Sequence, residues 1–395
     1  IELFGTKFQN KKGSIDLNEF SVISTEKNNS DFLQLNSDFV DLEILGTFKI
    51  ENLYTSFEKL FHKYFPSFSR SKYQNLDTTN NFVFSANLKN TQAVSRVFFP
   101  YVFAKENTNI HGKLNSINKT IHVAISSPEI DFKGNKLKDF SFNVSNLNDS
   151  LFFLTKAKNV NINKTVNIDN FVVSASAKKD SLGLSINWQN LDTLNYNGNI
   201  LTRTFITKNE KSENPIINIS VQPSIVTIAD TVWTINSCKI NIDSTFIGID
   251  SFMVFNENQH IALHGALSEI PNDTLKINLQ KINLSYLNLF TANTNAHFEG
   301  KIDGEAQLID FYERSIFFSD IKIKNLNINN EKIGYTEILS DWDKNSKSLH
   351  LHAFTKRDKI KTFIIDGNYL PNKNELEFDI SLDKLGEYFK NNKCT

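Results

Sequence analysis

Three stretches of the chain repeat one hairpin. Ile110-His111-Gly112-Lys113-Leu114 leads to Ile121-His122-Val123-Ala124-Ile125, and Leu263-His264-Gly265-Ala266-Leu267 leads to Leu275-Lys276-Ile277-Asn278-Leu279. Ile365-Asp366-Gly367-Asn368-Tyr369 leads in the same way to Leu376-Glu377-Phe378-Asp379-Ile380. Each unit is an apolar-x-Gly-x-apolar strand, a short Asn-rich turn and a second strand of alternating character. Successive side chains of a strand point to opposite faces, so Ile110, Gly112 and Leu114 share one face and His111 and Lys113 the other. Repetition of this unit makes one long sheet with an apolar and a polar side, and the apolar side must be covered by something.

The alternation continues beyond the three hairpins. Strands begin after polar turns at Ile121, Leu151, Leu182, Leu275, Leu349 and Leu376; the first three steps are 30, 31 and 93 residues, and the later steps of 74 and 27 fit a common length less well. A unit of about 30 residues therefore recurs, read as three strands and their turns. Seven of the 14 glycines lie in such strands: Gly46, Gly112, Gly198, Gly265, Gly300, Gly304 and Gly367. Glycine weakens a strand interior, so its repeated placement on the apolar face asks for a reason. Gly112, Gly265, Gly300 and Gly367 are assigned to a sheet that curls toward that face, or to room made for a neighbouring aromatic, ordinary hairpin glycine being the alternative. The expected fold is all-β: an elongated, curved antiparallel repeat sheet forming a groove, with one short amphipathic helix near the N-terminus.

That helix is read from a change of period. Leu53, Phe57, Leu60, Phe61 and Tyr64 fall at i, i+4, i+7, i+8 and i+11, with Asn52 as N-cap and Pro66 as terminator. It is expected to be the chain's one helix and to cap a core rather than lie at a bilayer surface or plug a groove. The chain divides accordingly into a strand segment (1–50), a helix-and-loop insertion (51–80) and continuous groove repeats (81–390).

Composition removes several function classes. With 43 Lys and Arg against 44 Asp and Glu, the net charge of −1 offers no footprint for nucleic acid. Two cysteines make no disulfide framework. No run reaches the ~18 apolar residues of a membrane-spanning helix. His350 and His352 share the polar face of a strand, as do His260 and His264, and a solvated face accounts for both pairs better than a metal site. Asp341 and Asp343 around Trp342 read as a turn. With no acid–base pair, phosphate loop or nucleophile elbow, the chain is read as a non-enzyme without cofactor or metal. The triples Asp149-Ser150-Leu151, Asp180-Ser181-Leu182, Asp192-Thr193-Leu194, Asp230-Thr231-Val232 and Asp273-Thr274-Leu275 are similar to the O-glycosylation acceptors of exported Bacteroidota proteins. Hairpin chemistry alone produces the same triples.

At ~25 cal/mol per Å² of apolar surface, leaving dozens of Ile, Leu and Phe side chains wet is prohibitive. A sandwich closes such a face on itself, whereas a trough leaves a lane that acyl chains can fill. The expected lining comes from Ile110, Leu114, Ile121, Val123 and Ile125, then from Leu182, Leu184 and Ile186. The second hairpin adds Leu263, Leu267, Leu275, Ile277 and Leu279, followed by Phe298 and Ile302. Leu349, Leu351, Phe363, Ile365, Leu376, Phe378 and Ile380 complete it. A closed β-solenoid or adhesin-like interaction protein is the alternative. An outer-membrane barrel comes third, since 34 Phe against 10 Tyr and 3 Trp does not make interfacial girdles.

Several segments carry a family resemblance: Leu45-Gly46-Thr47-Phe48 with the helix through Leu60-Phe61-His62-Lys63-Tyr64-Phe65-Pro66, Asn107-Thr108-Asn109-Ile110-His111-Gly112, and Ser127-Pro128-Glu129-Ile130. Gly300-Lys301-Ile302-Asp303-Gly304 and Trp342-Asp343 after Ile338-Leu339-Ser340 read the same way. From about residue 40 the chain resembles an interior stretch of a TamB-like protein of the AsmA-like superfamily, in its Bacteroidota form. The resemblance implies a periplasm-spanning, bridge-like lipid carrier that supports phospholipid transfer to the outer membrane and protein assembly in it. Phospholipid is then the transported ligand. An inner-membrane anchor and contact with a TamA/BamA-type outer-membrane barrel are expected from other parts of the protein.

Overall fold

A computed structural model describes residues 1–68, 79–162, 166–190, 195–210, 212, 214–291, 296–312, 316–343, 346–357, 360–370 and 375–381. It is all-β, with 26 strands hydrogen-bonded into one antiparallel sheet. The chain forms two compact units: Ile1–Ile217 with Val226–Asp230, and Asn218–Ile225 with Thr231 onward. The division falls within the stretch read as continuous from sequence. Asp192, Thr193, Leu194 and parts of the 51–80 and 81–390 segments lie outside the described residues.

The first unit opens with β1 (Glu2–Asn10), β2 (Gly13–Lys27), β3 (Ser30–Ser37), β4 (Val40–Thr47) and β5 (Asn81–Leu88). It continues through β6 (Val102–Ala104), β7 (Thr108–Asn115), β8 (Thr120–Phe132), β9 (Asn135–Leu147) and β10 (Ser150–Ile162). β11 (Val166–Lys178), β12 (Ser181–Asn190) and β13 (Tyr196–Thr207) follow. Nearly all are sequential meander pairs; β6 instead extends the row of β7 along the far half of β8. Four short strands come next: β14 (Ile216–Val221), β15 (Ser224–Ile228), β16 (Thr231–Ile235) and β17 (Cys238–Ile242).

The second meander runs through β18 (Phe246–Asn256), β19 (Gln259–Ser268), β20 (Thr274–Asn283), β21 (Phe298–Ile309) and β22 (Ile316–Ile328). It ends with β23 (Glu331–Asp343), β24 (Ser348–Arg357), β25 (Ile360–Leu370) and β26 (Glu375–Ser381).

Turn chemistry sets the register. Asn28-Asn29, Lys133-Gly134, Asn148-Asp149, Lys179-Asp180 and Asn329-Asn330 each place two residues at positive φ. That is the two-residue hairpin whose twist matches the flanking strands, and Asn, Asp and Gly tolerate it best. The 30-residue step from Ile121 to Leu151 spans β8 and β9, two strands of 13 residues each. The repeat is thus two long strands rather than three, because these strands are twice the usual length.

The expected helix is α1 (Leu53–Tyr64), ended by Phe65 before Pro66. Asn52 precedes it without a side-chain cap; its carbonyl accepts instead from Ser56 Oγ at 3.1 Å. The buried face also differs from the expected one. Leu60 and Tyr64 are buried with Thr55 and Ser56, while Phe57 and Phe61 stay exposed. Two shorter helices were not foreseen, α2 (Gln92–Phe98) and α3 (Asn288–Thr291). α2 is two turns long and ends in an aromatic run that reads as strand. Among the described residues no helix is long and apolar enough to cross a membrane.

Candidate functional site

Cross-strand register assembles the apolar face residue by residue, since directly paired residues point the same way. In the first unit Gly112 pairs with Val123, Val123 with Val144, Val144 with Phe153, Phe153 with Ala175 and Ala175 with Leu184. On either side of this row, Ile110 faces Ile125, Leu114 faces Ile121 and Ile186 faces Ile200. In the second unit Leu263 pairs with Ile277, Ile277 with Ala306 and Ala306 with Ser319. That row goes on from Ser340 to Leu351, Gly367 and Phe378. Neither row contains a charged side chain. Ser319 and Ser340 are buried in the second and bond each other at 2.9 Å, which satisfies both hydroxyls.

Of the expected lining residues, Leu114 and Leu267 are buried, at 2% and 8% exposure. Leu376, Phe378 and Ile380 on the last strand are exposed, and all the others are half-buried. Part of their cover comes from helical segments, against which Leu114, Ile121, Val123, Leu182, Phe298 and Ile302 pack.

At Gly112, Gly265 and Gly367 an added Cβ would overlap the carbonyl oxygens of His122, Thr274 and Glu377 respectively. At Gly265 a φ of +111° also calls for glycine. At Gly112 the ring of Phe84 also occupies the space, 2.8 Å from the Cβ position. Gly300 is roomier, its nearest neighbour being Lys324 O at 3.0 Å, and its φ of +136° accounts for the glycine instead.

Helical segments cover ends of the face. α1 lies across successive hairpin ends of the first unit, where Leu60, Tyr64 and Phe65 pack with Phe82, Leu114, Val144 and Leu151. Polar anchors fix it there. Asp180 N–H donates to Tyr64 O at 2.8 Å, and its carboxylate accepts from Ser67 N and Oγ at 2.9 and 3.0 Å. Asn146 Nδ2 donates to the Tyr64 hydroxyl at 2.8 Å, and Lys63 pairs with Asp149 at 3.0 Å. Through this bond, chiefly, Asp149 raises the pKa of Lys63 and Lys63 lowers that of Asp149. In the second unit Leu284, in the turn preceding α3, packs with Ile323, Leu326 and Phe298.

The polar face holds the histidine pairs. His350 and His352 flank Asp366: His350 Nε2 lies 3.2 Å from Oδ1 and His352 Nδ1 lies 2.7 Å from Oδ2. Asp341 adds a contact to His350 Nδ1 at 3.3 Å. The hydrogen bond to Asp366 raises the His350 pKa, and the bonds from His352 and His350 lower that of Asp366. Carboxylate oxygens thus face both ring nitrogens of His350 and Nδ1 of His352. His260 meets Asn278 Oδ1 at 2.7 Å, while His264 stands exposed. Asp341 and Asp343 end β23 rather than forming a turn. Asp149, Asp180 and Asp230 each hold the second positive-φ position of a two-residue turn, which is the hairpin account of the Asp-Ser/Thr triples.

Sequence reasoning passed over one exposed aromatic elbow, from α2 into β6. Its signal was Phe98-Phe99-Pro100-Tyr101, a run interrupted by the proline that a central strand excludes. No family model, curated protein or solved structure matches this chain.

Proposed function

We propose that the apolar face is a lane for acyl chains, and that the chain is a segment of a groove carrying phospholipid between membranes of a cell envelope. The observation that supports this is a face continuous in register across each unit and free of charge along its central rows, with most of the expected lining residues half-buried although Val144, Ala306, Ser319 and Ser340 within those rows are buried. Each methylene moved from water onto such a face stabilises the complex by about 0.8 kcal/mol. A closed β-solenoid would bury the same side chains completely, and their half-burial favours the lane. The resemblance to TamB-like proteins supplies the setting of this proposal: the periplasm, an inner-membrane anchor and an outer-membrane barrel partner reached through other parts of the protein. Its role there is lipid supply and support of outer-membrane protein assembly, with no catalytic step.

Native mass spectrometry and lipid extraction of the purified chain test the reading. Co-purified phospholipid in sub-stoichiometric or higher amounts is expected, and a lipid-free, monodisperse particle overturns it.

A further inference from the structure

The elbow between α2 and β6 in the first unit is built, held in place and left uncovered. Val97 is buried at 2% exposure, against Gly13 at the start of β2, and Phe98 stacks on Phe8 with ring centroids 5.6 Å apart. Thr91 Oγ1 donates to Ala104 O at 2.7 Å, and Val102 N–H to Phe99 O at 2.9 Å. Lys133 N–H donates to Tyr101 O at 2.9 Å, which ties the elbow to the β8–β9 turn. These bonds fix the backbone while the side chains point outward: Phe99 is 65% exposed, Tyr101 63%, and Phe98, Val102 and Phe132 are exposed beside them. A rigid scaffold that presents five large apolar groups to water is costly unless something takes them up.

The charges around the patch say what that is. Lys133 Nζ sits over the rings of Tyr101 and Phe132, 5.2 and 5.6 Å from their centroids. With Arg96 it lines a recess of about 340 Å³ between α2, β6 and the β8–β9 turn, which Gln92, Ser95 and Gly134 also line. The one carboxylate on this recess, Asp131, is turned onto the Gly134 N–H at 2.7 Å. Lys11 and Lys12 stand exposed in the adjoining β1–β2 turn. Aromatic rings flanked by Lys and Arg match the layered chemistry of a bilayer surface, where rings sit at the level of the headgroups and cations meet anionic phosphates.

We propose that this elbow docks the first unit onto an anionic phospholipid surface, with Phe98, Phe99, Tyr101, Val102 and Phe132 in the interface and Arg96 and Lys133 on headgroup phosphate. The docking is separate from the lane and does not require the lane to carry lipid.

Flotation of the full chain with vesicles tests it. The chain floats with phosphatidylcholine vesicles containing phosphatidylglycerol and not with phosphatidylcholine alone, and added salt weakens the binding. Phe99→Ser with Tyr101→Ser weakens it about tenfold or more, since each exposed ring contributes transfer energy of that order. Arg96→Glu with Lys133→Glu removes the preference for anionic vesicles. The altered side chains are exposed, so melting temperatures stay at the wild-type value. Equal flotation on both vesicle types, or none, overturns the proposal, as does unchanged binding by the Phe99/Tyr101 variant. Dimerisation in size-exclusion chromatography that this variant abolishes also overturns it, because the patch then belongs to a second copy. Leu184→Arg in the lane leaves flotation intact while reducing co-purified lipid, so failure of docking and failure of the lane are read separately.

Discussion

Gly265 and Gly183 stand in comparable strands and respond differently to the same added methyl group. At Gly265 φ is +111° and a Cβ would overlap Thr274 O, whereas at Gly183 the nearest atom is Ser176 Oγ at 3.5 Å. Gly265→Ala is expected to destabilise the protein by about 2–3 kcal/mol in urea unfolding, from backbone strain and overlap together. Gly183→Ala is expected to be neutral or slightly stabilising. The position of Gly265 in the alternation was legible in the sequence, but the approach of the neighbouring carbonyl was not, because it depends on the backbone conformation of two paired strands. The His350–Asp366–His352 cluster has its own pH signature. His350, with its pKa raised, contributes stability that is complete below its ordinary value of 6.5 and lost as pH rises through the folded value. Asp366, with its pKa lowered, contributes stability that is present above its ordinary 3.8 and lost as pH falls through the folded value. The melting-temperature advantage of the wild type over Asp366→Asn should therefore peak between those two values and shrink above and below them. A gap that stays constant from pH 5 to about pH 9 would contradict the assignment.

At the scale of elements, α1 shows what a period can and cannot announce. The 3.6-residue pattern located it and Pro66 ended it, yet the pattern assigned Phe57 and Phe61 to the buried side. The hairpin ends it lies across decide otherwise. Asn146 and Asp180, 82 and 113 residues from their partners Tyr64 and Ser67, select the face that turns inward. Tyr64 is completely buried, so Tyr64→Ala should cost about 3–5 kcal/mol. Phe61→Ala, at 46% exposure, should cost under about 1 kcal/mol by the same denaturant titration. Equal losses at the two sites would mean that the helix packs by the face its sequence suggests. α2 escaped notice because two turns give too short a period, and its burial comes from β2, some 80 residues earlier in the chain.

For the molecule as a whole, the lane proposal predicts a particular pairing of results. Leu184→Arg in the first unit and Ile277→Arg in the second should each lower co-purified phospholipid several-fold while shifting melting by only a few degrees, because a half-open face lets a long side chain reach water. If either variant unfolds at ambient temperature, that face is closed core and the lane is wrong at that unit. The sequence by itself determined the strands, their alternation and the shared face of every repeated hairpin, since period-two patterning and turn residues act over a few neighbouring positions. It did not determine the two-strand length of the repeat, the close backbone approach at Gly112, Gly265 and Gly367, the face α1 buries or the exposure of the α2 elbow. Those were decided by the tertiary structure, because each depends on contacts between residues far apart in the chain, and local sequence carries no record of which distant backbone arrives to make them.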